Sequence, residues 1–169
     1  MFFLIANNLT IPILNLSFLT KLSIRNENLD ILKFLLVKNS NLFNEDETFL
    51  HYACAQRSME ILKFVIKNYK NFDYKDESEE TALHWAIMKG NYHIIEELIN
   101  HLKENNCEIN PRNKVILPLN EYGVTPFHLA CLKQDKHVAH LLFDNGADVN
   151  EQDNVNILCN IWKETLLFI

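Results

Sequence analysis

The sequence predicts an all-α solenoid of stacked helix-turn-helix units, with extended hairpin-like loops between them. Three observations predict it: the chain repeats itself, each repeat carries two apolar blocks at helical spacing, and polar stretches separate the repeats. The copies are TFLHYACAQRSMEILKFVI from Thr48, TALHWAIMKGNYHIIEELI from Thr81 and TPFHLACLKQDKHVAHLLF from Thr125. Thr48 and Thr81 lie 33 positions apart, and Thr81 and Thr125 lie 44 apart. One such hairpin cannot bury its own apolar face, so neighbours must stack and share their stability.

Taken in order, residues 1–22 read as a degenerate N-terminal cap. Asn7, Asn8, Thr10, Pro12 and Asn15 interrupt its apolar run, and the first positive side chain is Lys21. That pattern suits neither a membrane span nor a cleaved leader, although a secreted protein would need this segment as its signal. Residues 23–44 form a weak repeat with an eroded first helix and a convincing second one, marked by Ile31, Leu32, Leu35 and Leu36. Residues 45–75 form the first clear repeat, with Ile61, Leu62, Val65 and Ile66 as its second apolar block. Residues 76–119 form the next, with Ile94, Ile95, Leu98 and Ile99, and carry a long insertion at 103–119. That insertion should lengthen the second helix by about one turn and expose or fold back the apolar run Val115 to Leu119. Residues 120–152 complete the array with Val138, Ala139, Leu142 and Phe143, and 153–169 read as a degenerate C-terminal cap. Both ends are apolar, so self-association through them is an expectation of the sequence.

Thr125-Pro126-Phe127-His128-Leu129-Ala130, followed by Asn145-Gly146-Ala147-Asp148-Val149-Asn150, resembles the repeating unit of the ankyrin family. The other units match more loosely, with Phe49 and Ala82 at the Pro position. The motif residues are Thr48, His51 and Ala53; Thr81, His84 and Ala86; Thr125, Pro126, His128 and Ala130; and Gly146. Pro126 is suited to a helix start, where a missing N–H costs nothing. The three threonines are expected to cap their helices and to reach the histidine three residues on. The alanines let helices approach closely, and Gly146 supplies a left-handed turn.

Chemistry finds little foothold in this pattern. His51 and Cys54, like His128 and Cys131, sit three apart on one helical face, but Ile87 replaces the cysteine in the intervening unit. A zinc site needs four converging ligands, so no metal is expected, and no cofactor either. With 3 glycines in the chain there is no phosphate-cradling loop. Leu102…Glu108-Ile109-Asn110 and Leu142…Asp148-Val149-Asn150 fit the pattern at which similar repeats are hydroxylated on Asn; turn closure accounts for both without modification.

The formal charge of −6, with 16 basic against 22 acidic residues, offers no basic stripe for nucleic acid. Four scattered cysteines without a CxxC pair suit a reducing, cytoplasmic setting. The expected function is therefore a non-catalytic module that binds another protein. Its alternatives are a regulatory segment of a larger enzyme or channel, or a secreted host-binding effector. The resemblance implies a concave face made of loop tips and first helices. The residues expected there are Gln56, Glu77, Ser78, Glu80, Met88, Lys89, Glu121, Tyr122, Val124, Leu132 and Lys133. Acidic tips suggest a partner with a basic surface, by charge complementarity.

Overall fold

A computed structural model of the chain describes residues 13–114 and 123–148. Glu121, Tyr122, the run Val115 to Leu119, Asn150 and both outer caps beyond those limits therefore lie outside the described residues. Within them the regular elements are helices: α1 (Ile13–Arg25), α2 (Leu29–Lys38), α3 (Leu42–Glu45), α4 (Phe49–Cys54), α5 (Met59–Asn68), α6 (Ala82–Lys89), α7 (Tyr92–Glu104), α8 (Pro126–Leu132) and α9 (Lys136–Asp144). They pair as α1/α2, α4/α5, α6/α7 and α8/α9. The first helices pack in the row α1, α4, α6, α8, and second helices pack as α5, α7, α9.

The boundary placed at residue 23 needs correction, because α1 runs unbroken across it from Ile13 to Arg25. The weak unit thus has a full first helix, of 13 residues against 6 in α4. Its motif is eroded because Thr20 and Ser23 occupy buried positions and satisfy themselves locally. Thr20 Oγ1 donates to the Leu16 carbonyl at 2.8 Å, and Ser23 Oγ donates to that of Thr20 at 2.8 Å. The lengthened second helix is present: α7 has 13 residues against 10 in α5 and 9 in α9.

Each second helix starts on a side-chain cap. Asn28, Ser58, Asn91 and Asp135 accept the amides of Ile31, Ile61, Ile94 and Val138 at 3.0, 3.3, 3.4 and 3.1 Å. Each such cap is worth about 1 kcal/mol. The preceding residue turns the chain with positive φ in three units, as Glu27 (52°), Gly90 (74°) and Gln134 (57°).

The core follows the aligned positions. Leu50, Leu83 and Phe127 are equivalent and buried, as are Ala53, Ala86 and Ala130, where a larger side chain would hold neighbouring helices apart. Cys54 and Cys131 sit at the position of Ile87, so they serve as small apolar core residues. Of the second-helix blocks, Phe143 departs from expectation and is 44% exposed, whereas the equivalent Ile66 and Ile99 are buried. Among the described residues α9 has a second-helix neighbour, α7, on one side only.

Candidate partner-binding face

The histidines build the frame that presents this face. In the unit at α6, His84 Nδ1 accepts the Thr81 amide at 3.1 Å, with the Thr81 hydroxyl 2.9 Å away. That leaves the proton on Nε2, which donates to the Val124 carbonyl of the next unit at 3.0 Å. Desolvation by burial drives the His84 pKa down to about 4, against a weaker opposing effect of the Val124 bond. The ring is therefore neutral at pH 7 and stitches one unit to the next. At α8 the cap is reciprocal: the His128 amide donates to Thr125 Oγ1 at 3.3 Å and the Thr125 amide to His128 Nδ1 at 3.2 Å.

The first clear unit departs from this plan. His51 Nε2 donates to the Glu80 carbonyl at 2.9 Å, repeating the stitch. Thr48, however, is not the expected cap: its amide and hydroxyl both donate to Asp46 Oδ1, at 3.0 and 2.6 Å. His51 Nδ1 is consequently buried without a hydrogen bond. Asp46 also receives the Ser17 hydroxyl and the Lys21 ammonium, the latter at 2.7 Å, and so ties α1 to the array. Burial alone would raise the Asp46 carboxyl, but these donors outweigh it and hold it at about 2.

Position by position, the expected face divides. Met88 and Leu132 are 43% and 37% exposed, at equivalent places at the ends of α6 and α8. Lys89, Lys133, Glu77 and Ser78 are exposed as well. Gln56 is half-buried, its Nε2 donating to the Tyr52 carbonyl at 3.0 Å. Two expectations are corrected. Glu80 is buried, with Oε1 accepting from Asn113 Nδ2 at 3.2 Å, and burial followed by the nearby Asp76 charge raises its pKa. Val124 is 1% exposed, its amide bonded to Asn113 Oδ1 at 2.8 Å and its carbonyl held by His84. Both residues immediately precede a motif threonine, where the chain turns inward and the histidine claims the carbonyl.

Tyr52 and Trp85 are half-buried and pack on each other, centroids 5.6 Å apart, with Lys21 Nζ 5.3 Å from the Tyr52 centroid. Trp85 Nε1 also donates to Asp76 Oδ2 at 3.0 Å. The loop tips are internally bonded: Asp76 Oδ1 accepts the amides of Ser78 and Glu80, each at 2.9 Å, and Lys114 pairs with Glu79 at 2.8 Å.

Sequence reasoning missed Asn113 and read Asn110 only as a turn-closing residue or hydroxylation candidate; both hold the start of the long insertion against the array. Asn110 Oδ1 accepts the Phe127 amide at 3.0 Å, near the start of α8. Both asparagines stand in the polar stretch Asn110-Pro111-Arg112-Asn113-Lys114, where no repeated spacing singles them out. Between residues 55–57 and 89–92 lies a shallow cleft of about 340 Å³, also unforeseen.

Burial raises the Cys54 thiol far above its ordinary range, and Cys107 is pushed up to about 11, by burial and then by Asp73. Among the described residues no group of three or more His, Cys, Asp or Glu could hold a metal ion. No described helix is long and apolar enough to cross a membrane.

A family model for ankyrin repeats, in three copies, matches residues 3–76, 19–113 and 70–153. A protein of Acanthamoeba polyphaga mimivirus named as an ankyrin repeat protein is 29% identical over 134 residues, 78% of this chain and 16% of its own length. A probable 26S proteasome regulatory subunit of Saccharomyces cerevisiae is 28% identical over 137 residues, 78% of this chain and 56% of that protein. A palmitoyltransferase of Candida glabrata is 30% identical over 107 residues, 63% of this chain and 13% of the enzyme. The chain thus spans little more than half the length of one of these relatives and a small part of the other two.

Proposed function

Because the chain belongs to the ankyrin-repeat family, we propose that it acts as a non-catalytic adaptor, scaffold or inhibitor that binds one protein on its concave, first-helix face. The observation that carries this reading is the apolar pair Met88 and Leu132. Both are exposed at equivalent positions of adjacent helices, and neither is needed by the core. Exposed Met and Leu in register, flanked by Lys89 and Lys133, suit the apolar centre and polar rim of a protein interface. Cys54 and Cys131 are buried in the core, where burial holds the Cys54 thiol far above its ordinary range, and His84 is bonded through both ring nitrogens. Thiols in the core go with a reducing, cytoplasmic setting.

Affinity capture with the intact chain, beside a Met88→Ala/Leu132→Ala variant, tests the proposal. A partner held by the parent and lost by the variant, with circular dichroism unchanged, supports it. Equal capture by both would refute the assignment of this face. A second reading, a regulatory ankyrin segment of a larger enzyme or channel, is favoured by the palmitoyltransferase match, which covers 13% of that enzyme.

A further inference from the structure

The sequence places its acids at the loop tips, and from them a basic partner follows. The structure shifts that balance in part, neutralising two of the acids by ion pairs and fixing others in hydrogen bonds. Asp46 is paired with Lys21, Glu79 with Lys114, and Glu80 is buried against Asn113. Glu47 Oε1 accepts from Asn71 at 2.8 Å, and both oxygens of Asp76 are taken by Ser78, Glu80 and Trp85. Glu77 stays exposed at the tip. The charges at the other end of the first helices are different. Arg57, Lys89 and Lys133 are exposed and stand in no ion pair among the described residues. Of the carboxylates near them, Glu27 is turned onto the Arg57 amide at 2.9 Å and Asp135 onto the start of α9; both keep their charge and leave three cations against two anions at this end.

Arg57 and Lys89 line the same cleft, whose other walls include Ala55 and the partly exposed Tyr92. Met88 precedes Lys89, and Leu132 precedes Lys133 in the adjacent first helix. Each of these two units therefore offers one apolar and one cationic side chain in the same order.

We infer that this face takes an acidic, apolar segment of a protein partner, one carboxylate seated between Arg57 and Lys89, another at Lys133, and apolar side chains on Met88 and Leu132. The inference rests on the proposed first-helix face and reverses the charge expected of the partner from composition alone. Packed helices lie about 8–10 Å apart, and an extended peptide advances about 3.3 Å per residue. Acidic residues spaced three apart therefore match successive units.

Fluorescence anisotropy with two labelled nine-residue peptides tests this, Glu-Leu-Ser repeated three times and Lys-Leu-Ser repeated three times. The acidic peptide is expected to bind about tenfold tighter than the basic one at low salt, with the gap narrowing as salt is raised. In an Arg57→Glu/Lys89→Glu/Lys133→Glu variant the order inverts. A basic peptide that binds as tightly, a charge variant that keeps the acidic preference, or no binding of either peptide overturns the inference. Met88→Ala/Leu132→Ala separates the two readings, since it should weaken both peptides by a similar factor and leave their ratio intact. A ratio that inverts on charge reversal, with binding indifferent to Met88 and Leu132, would sink the apolar face and keep the acidic preference. Loss on the apolar substitutions without any charge preference would do the opposite.

Discussion

Acidification below about pH 6.5 should weaken the array, because the stitch from unit to unit is a neutral histidine. His84 has an ordinary pKa of 6.5 when unfolded and one of about 4 when folded. Its folded value is depressed, so the unfolded chain binds the extra proton first. Stability is fully present above about pH 6.5 and is lost as pH falls toward 4. Each tenfold difference in proton affinity between the folded and unfolded chain is worth about 1.4 kcal/mol. The full loss is then about 3 kcal/mol, most of it reached by pH 4.5. His51, whose pKa is also lowered by burial, acts in the same direction. Glu80 opposes it weakly, since a raised carboxyl pKa favours the folded state in acid. Urea denaturation followed by circular dichroism at pH 7.5, 6, 5 and 4.5 measures the slope. His84→Gln should be less stable at pH 7.5, since it loses the fitted pair of bonds, and its slope between pH 6.5 and 4.5 should be flatter. A parent protein equally stable at pH 7.5 and 4.5 would refute the reasoning, as would a His84→Gln slope identical to the parent's.

Two further predictions concern the frame. In Gly123→Ala the new Cβ would lie 1.9 Å from the Asn113 carbonyl oxygen, at φ +78°, so the loss should exceed about 3 kcal/mol. Gly90→Ala, at φ +74° but in open space, should cost only about 1 kcal/mol, and thermal melts of the two variants check the contrast. Asp46→Ala removes the acceptor for Ser17, Lys21 and Thr48, and should cost about 2 kcal/mol and speed amide hydrogen exchange through α1.

The repeat, its helices and its core stripe were legible in the sequence because they rest on local periodicity, which survives without any knowledge of neighbours. Thr81, Thr125, Ala53, Ala86, Ala130 and the stitching histidines were found that way, since their role recurs at fixed spacing. The caps at Asn28, Ser58, Asn91 and Asp135 were equally local and could have been read three residues before each apolar block. The candidate site was legible in part: Met88, Lys89, Leu132 and Lys133 stand on the surface, whereas Glu80 and Val124 do not.

What tertiary structure alone decided was which charges and which threonine remain available. Thr48 has the same motif position as Thr81 and Thr125, yet Asp46 takes both of its donors, because Ser17 and Lys21 of α1 hold that carboxylate in place. Composition assigned the face an acidic character; ion pairs neutralise Asp46 and Glu79 of it, while Arg57, Lys89 and Lys133 stay exposed. Periodicity belongs to the chain, but a hydrogen bond or an ion pair between residues of different units depends on how those units stack, and only the stacked array specifies it.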